Sequence, residues 1–226
     1  MQTITILGRE MNKPIALIVP VLKRFDLLTE LMNSVDTDVR PFVIENYKHN
    51  LGVAGAWNEG MRRALENGYE YAIISNDDVR FEKGAIEEIY SILRETDAVL
   101  VSANQNGWFT GDERHPEGAD FFCFGVNIPK LINTCGSFDE NIFPAYFEDN
   151  DMHRRIRLAK QTAYISRYAI AWHVGSATQN ADPANPACPP ERFEELRQYY
   201  ISKWGGPPDQ ETFDRPFNNP DNEIWD

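Results

Sequence analysis

The sequence predicts an α/β fold: an open, mostly parallel, twisted sheet with helices on both faces. Two observations carry that expectation. Apolar, β-branched runs of strand length alternate three times with segments whose apolar residues recur at helical spacing. The first run, Ile15-Ala16-Leu17-Ile18-Val19, is apolar at every position, as a strand covered on both faces must be. Strands joined through helices run parallel and cross over right-handedly.

The elements follow in order. Ile15 to Val21 reads as a strand closed by Pro20, and Asp26 to Val35 as a helix through Leu27, Leu28, Leu31, Met32 and Val35. Pro41 to Glu45 is a short strand. Ala54 to Leu65 is a helix with Trp57, Met61, Ala64 and Leu65 on one face. The third unit pairs the strand Tyr71 to Ser75 with a helix from Gly84 to Glu95, inward through Ile86, Ile89, Tyr90 and Leu93. A further strand follows at Ala98 to Ala103. From Gly107 the alternation fades until Glu148 to Lys160, another helix. Eight of the fourteen prolines lie beyond Gln179, around a helix at Pro190 to Trp204 that carries Phe193, Leu196, Tyr200 and Trp204.

These boundaries divide the chain into one domain, 1–178, and a Pro-rich C-terminal tail or lid, 179–226, packed on it. The tail's aromatic residues would cover an acceptor, pair two copies into a homodimer, or pack against the sheet, which is the simplest of the three. With 226 residues, 42% of them hydrophobic, the chain can bury a full core. No apolar run approaches the roughly 20 residues that span a bilayer, and Met1 to Pro14 lacks a basic segment followed by an apolar one. The expectation is a cytoplasmic protein with no membrane insertion. Cys123, Cys135 and Cys188 are odd in number and widely spaced, which points to buried reduced thiols rather than a disulfide framework or a thiolate zinc site. The net charge of -13 argues against broad contact with nucleic-acid backbone or anionic lipid.

In open α/β sheets, ligands bind beyond the carboxyl ends of the strands, here Pro20 to Lys23, Glu45 to Asn50, Asn76 to Asp78 and Ser102 to Asn104. Those segments are expected to share one rim. On it lies Ser75-Asn76-Asp77-Asp78, whose adjacent carboxylates point in opposite directions along the pleat, so that one can meet a ribose and the other a metal. The plainer alternative is a turn that caps the next helix. Phe147-Glu148-Asp149-Asn150-Asp151 precedes Arg154, Arg155, Arg157 and Lys160, an order that helix-dipole electrostatics alone would explain. Its chemical reading is a carboxylate base for an acceptor hydroxyl, with Asp149 first and Asp151 second. His173 can complete a metal site with Asp78, although a lone histidine is more often structural. The small residues of Asn50-Leu51-Gly52-Val53-Ala54-Gly55 suit either backbone approach to a phosphate or close packing at a helix entry.

Taken in order, these segments resemble the family 2 glycosyltransferases of the GT-A (Rossmann-like) fold over residues 14 to 178. Ile18-Val19-Pro20-Val21 is similar to the opening nucleotide-binding strand and Val43-Ile44-Glu45-Asn46 to the second. Asn50-x-Gly52 through Asn58-x-Gly60 looks like the family's glycine and asparagine segment, and Ile73 to Asp78 like its D-x-D-type motif. Gly136 to Glu140, Phe147-Glu148-Asp149-x-Asp151 with Arg154 or Arg155, and Trp172-His173-x-Gly175 follow in the family's sequence. The resemblance implies a nucleotide-binding half at about 14–104 and an acceptor and catalytic half at about 105–178. It implies a nucleotide-sugar site at Pro20, Val21, Lys23, Arg24, Glu45, Asn50, Gly52, Asn58, Asn76 and Asp77, with Glu45 or a neighbour at the base and Asp77 at the ribose. Asp78 and His173 would hold Mn²⁺ or Mg²⁺. Asp149 is the implied base, with Asp151 and Glu148 as further catalytic candidates.

Two departures stand out: Trp57, where many relatives carry an arginine, and Cys123-Phe124-Gly125, where relatives often show a small-residue loop lining the acceptor pocket. The expected activity is metal-dependent transfer of a sugar from a nucleotide-diphosphate donor by inverting single displacement. The acceptor is left open among glycan, protein and modified nucleic-acid base. Two rivals remain. A sugar-nucleotide pyrophosphorylase would carry a glycine-rich basic loop after the first strand, where this chain has Val21-Leu22-Lys23-Arg24-Phe25. In a non-catalytic nucleotide-sugar-binding module, Asp78 and Asp149 would have no chemical task.

Overall fold

The structure, a computed structural model, describes residues 15–111, 114–115 (backbone), 120–175 and 186–226. The start of the chain and the expected boundary at 178/179 lie outside the described residues. The elements are β1 (Ile15–Pro20), α1 (Phe25–Ser34), β2 (Val39–Ile44), α2 (Gly52–Glu66), β3 (Tyr71–Ser75), β4 (Val79–Phe81), α3 (Ala85–Glu95), β5 (Ala98–Gln105), β6 (Arg114–His115), β7 (Cys123–Asn127), α4 (Ile128–Cys135), α5 (Glu148–Leu158), β8 (Thr162–His173) and α6 (Pro190–Trp204).

One sheet runs in the order β2-β1-β3-β7-β5-β8-β4, with β6 paired to β8 off this path. β1 is parallel to β2 and β3, β8 is parallel to β5, and β7 is antiparallel to both β3 and β5. Five strands therefore point one way while β7, β4 and β6 oppose them, so the sheet is mostly parallel as the sequence predicts.

The sequence does not anticipate β7. The Cys123-Phe124-Gly125 segment, expected at an acceptor loop, is a central strand that separates β3 from β5. Gly125 sits there because helix α3 comes down on it: a Cβ at this position would lie 2.3 Å from Ile89 Cγ2 and 2.8 Å from Leu93 Cδ1. The glycine that breaks the strand pattern in sequence is what lets the helix close on the sheet.

Side chains of β1 alternate between two cores. Ala16 and Ile18 join α2, α4 and α5 on one face, and Ile15, Leu17 and Val19 join α1 and α3 on the other. This double burial is why the strand has no polar position. Helix α6 does not pack on the sheet. Leu196, Tyr200 and Trp204 form a separate cluster with Ile142 and Phe147, beside the start of α5. All three cysteines are buried and none is paired in a disulfide, and burial pushes the Cys123 thiol up to about 12. No helix of the described residues is long and apolar enough to cross a membrane.

Candidate active site

The carboxyl ends of β1, β2 and β3 open onto a cavity of about 390 Å³. Pro20, Asn50, Gly52, Asn76, Asp77, Asp78, Glu148, Asp149 and His173 line it, so residues spread over most of the chain meet at one place. The fourth expected rim segment is absent from this cavity. With β7 inserted, the end of β5 is displaced, and Asn104 is buried, donating to the Phe109 and Arg167 carbonyls.

Asp78 and His173 are brought together by sheet register. β4 pairs antiparallel with β8, Val79 opposite His173, which sets the imidazole beside the preceding residue, Asp78. His173 Nε2 lies 3.1 Å from Asp78 Oδ1, while the other carboxylate oxygen accepts the Gly175 N–H at 3.1 Å. The ring stacks on Phe122 with centroids 4.8 Å apart and has Gln105 Nε2 3.4 Å from Nδ1, so its plane is held from two sides. Asp77 and Asp78 are both buried. Burial, and then the charge of Asp78, push the Asp77 carboxyl up to about 7 against the pull of Arg24.

A buried carboxylate, Asp78, with an imidazole at contact distance offers two donors of the kinds a small divalent cation accepts. Among the described residues no group of three or more His, Cys, Asp or Glu side chains is arranged to hold a metal. A cation at Asp78 and His173 would thus complete its shell from ligand oxygens and water.

The second acidic group enters the cavity at the start of α5. Tyr146 (φ 77°) and Phe147 (φ 76°) are consecutive bulky residues in the left-handed region, a conformation that costs on the order of 1–3 kcal/mol per residue. Phe147 is held there by Phe193 and Tyr200 of α6, with centroids 5.2 and 5.7 Å away. The turn so fixed presents Glu148 and Asp149 to the cavity. Asp149 is partly exposed, and Glu148 is buried with Oε2 lacking a hydrogen-bond partner among the described residues. Burial, followed by the Asp149 charge, pushes the Glu148 carboxyl up to about 8.

Asp151 is placed elsewhere, contrary to its candidacy as a second base. It is fully buried, paired with Arg155, 3.3 Å from Lys203 Nζ, and accepts the Trp204 indole N–H at 2.9 Å. Lys203 also reaches Asp139 at 2.7 Å and Arg155 donates to the Cys135 and Ser137 carbonyls, so this cluster joins α5 to α6.

Several implied nucleotide contacts also fall outside the cavity. Glu45 is exposed and bonded to Tyr47 and Lys48. Val21 is in the core, its N–H donating to Ile44 O and its carbonyl accepting from Tyr47. Lys23 is exposed away from the lining, and Arg24 pairs with Asp26 while keeping electrostatic reach to Asp77. Asn58 braces Phe138, accepting its N–H at 3.0 Å and donating to its carbonyl at 2.9 Å. Gly52 lines the cavity, but its first role is steric: at φ 71° a Cβ would lie 2.8 Å from the Phe143 ring and 2.9 Å from Pro144 O.

Asn46, covered by the sequence reading only as a neighbour of Glu45, is buried on the cavity wall, accepts the Leu51 N–H at 2.7 Å and donates to Gly52 O at 3.1 Å. Sequence reasoning missed Trp57, Phe121, Phe122 and Tyr146 as lining residues. Trp57 packs against Phe121, Phe124 and Phe138, and its buried indole nitrogen has no partner among the described residues.

A family model described as glycosyl transferase family 2 matches residues 26–148, more than half of the chain. A galactofuranosyl glycosyltransferase from Leishmania donovani is 25% identical over 215 residues, an alignment covering 69% of this chain and 49% of that protein. The chain thus spans about half the length of this relative. Crystal structures of S. aureus TarS residues 1–349, alone and in complex with UDP-GlcNAc, superpose with TM-scores of 0.55 and 0.58 at 14% and 12% identity. Each covers 84% of this chain, against 64% and 66% of the respective TarS chains. At that identity they show a shared fold, the GT-A architecture.

Proposed function

The chain belongs to glycosyl transferase family 2, and on that premise we propose that it moves a sugar from a nucleotide-diphosphate donor to an acceptor hydroxyl by inverting single displacement. The observation that carries this reading is the convergence of the Asp78–His173 pair and Asp149, from separate elements, on one cavity. The TarS neighbour in complex with UDP-GlcNAc supports a uridine-diphosphate sugar as the donor.

Asn76 and Asp77, which follow β3 and line the cavity, would bind the ribose, and Pro20, Leu22, Asn46 and Asn50 line the cavity toward the ends of β1 and β2. Asp78 and His173 would hold Mn²⁺ or Mg²⁺, which when bound supplies positive charge to a leaving diphosphate. Asp149 accepts the proton of the acceptor hydroxyl as that oxygen forms its bond to the anomeric carbon. The bond from that carbon to the diphosphate oxygen breaks with its electron pair, and the configuration inverts. Phe121, Phe122 and Trp57 form the apolar part of the wall and limit the water that competes with the acceptor.

Thermal unfolding with UDP, GDP and dTDP, each with and without Mn²⁺, tests the donor half of the proposal. A ligand that binds only the folded state at 100 times its Kd stabilises by about 2.7 kcal/mol. The expected result is a rise in Tm with UDP that requires the cation. No rise with any nucleotide, with or without Mn²⁺, would refute the donor assignment.

A further inference from the structure

Asp78 and His173 also line a second cavity, of about 350 Å³, whose other walls include Glu30, Arg80, Asn106, Trp108 and Trp172. Two features set it apart. Trp108 is 71% exposed and Trp172 41% exposed, large apolar rings left in water beside one groove. Arg80 and Glu30, both exposed, make no side-chain hydrogen bond or ion pair among the described residues.

The backbone that carries the indoles is fixed. Trp108 sits on a tight turn with Asn106 (φ 53°) and Gly107 (φ 71°) in the left-handed region, closed by Trp108 N–H to Gln105 O at 2.9 Å. That turn is tied to β8 twice: Asn106 N–H donates to Ala171 O at 3.0 Å, and the Asn106 side chain accepts the His173 N–H at 2.9 Å. Trp172 lies on β8 opposite Arg80 of β4, its indole N–H donating to the Glu82 carboxylate. The turn and the strand register that seat His173 thus also fix the backbone from which both rings project.

A sugar ring has an apolar face of C–H groups and a rim of hydroxyls. Exposed aromatic faces flanked by a guanidinium and a carboxylate that make no ion pair among the described residues complement both. The alternatives match less well. A nucleic-acid backbone meets a chain of charge -13, and the adjoining edge strand β4, three residues long, offers little ladder to an extended peptide.

We propose that this groove binds saccharide units of the acceptor, remote from the hydroxyl that reacts, with Trp108 and Trp172 as stacking platforms. The proposal rests on the glycosyl-transfer reading for its purpose, and names a glycan as the acceptor class.

The test is binding of the wild-type chain, Trp108→Ala, and the double variant Trp108→Ala/Trp172→Ala to a printed array of oligosaccharides of two to six sugars, short peptides and single-stranded RNA. UDP with Mn²⁺ thermal shifts are measured in parallel. Wild type is expected to retain a subset of the oligosaccharides, Trp108→Ala to lose about tenfold in apparent affinity and the double variant more, with the nucleotide shift unchanged. Since Trp108 is mostly solvent-exposed, the single variant remains informative if the double one folds poorly. Equal oligosaccharide binding by all three proteins, no binding by any, or retention only of peptide or RNA overturns the proposal. Trp-dependent oligosaccharide binding without any nucleotide shift would leave the groove standing and sink the donor assignment instead.

Discussion

Glu148 offers a quantitative test of the cavity's electrostatics. Its carboxyl is buried, one oxygen has no partner among the described residues, and the charge that acts on it is the like charge of Asp149, which together raise it to about 8 from an ordinary 4.5. A folded-state pKa above the unfolded one means the native chain holds the proton more tightly. The corresponding stability is fully present below about pH 4.5, is lost as pH rises, and is gone above about 8. Each pH unit in that window costs about 1.4 kcal/mol, so the loss is about 3 kcal/mol at pH 7 and about 5 kcal/mol above pH 8. Against a total stability of about 5–15 kcal/mol, this is a large share.

Glu148→Gln removes the titration while keeping the shape. Its buried amide adds an offset of about 1–3 kcal/mol that does not depend on pH, so the readout is the difference in slope. Urea unfolding of both proteins from pH 4.5 to 9 should show the variant gaining on wild type by about 3 kcal/mol between pH 4.5 and 7, and levelling off above 8. A stability difference equal at pH 5 and pH 8 would mean that Glu148 is solvated or paired with a cation, and the description of this wall would be wrong.

Other outcomes follow from the same geometry. Asp149→Asn should lower kcat by about 10²–10⁴-fold with UDP affinity unchanged, checked by steady-state transfer and thermal shift, and near-normal turnover would remove it as the base. Asp78→Ala and His173→Ala should each abolish the Mn²⁺-dependent part of the UDP shift, and a shift that persists in both would place the cation elsewhere. Lys203→Met should destabilise by about 3–5 kcal/mol in urea, because it leaves Asp139 and Asp151 buried without the ammonium between them. A loss under 1 kcal/mol would show that Arg155 and Trp204 satisfy Asp151 unaided.

The sequence by itself determined the strands and helices of the first half apart from the three-residue β4, because their apolar residues repeat at the period of the element that buries them. Tyr71 to Ser75 and Pro190 to Trp204 are found with the expected ends, and no other expected boundary moves by more than two residues. It also determined that Asp77 and Asp78 lie at a strand's carboxyl end, since that follows from local order. The strand β7 escaped notice because Gly125 looks like a loop residue until α3 is packed on it.

Choices between close neighbours belonged to tertiary structure alone. Glu45 and Asn46 are adjacent and both polar, yet one bonds to exposed Tyr47 and Lys48 while the other is buried on the cavity wall. Asp149 and Asp151, two residues apart on a helix, project about 200° from one another. Which of the two meets the cavity was decided by Lys203 and Trp204, more than fifty residues further on, which draw Asp151 into a buried cluster. Periodicity reports that a side chain is covered; what covers it depends on segments that only the folded chain brings into contact.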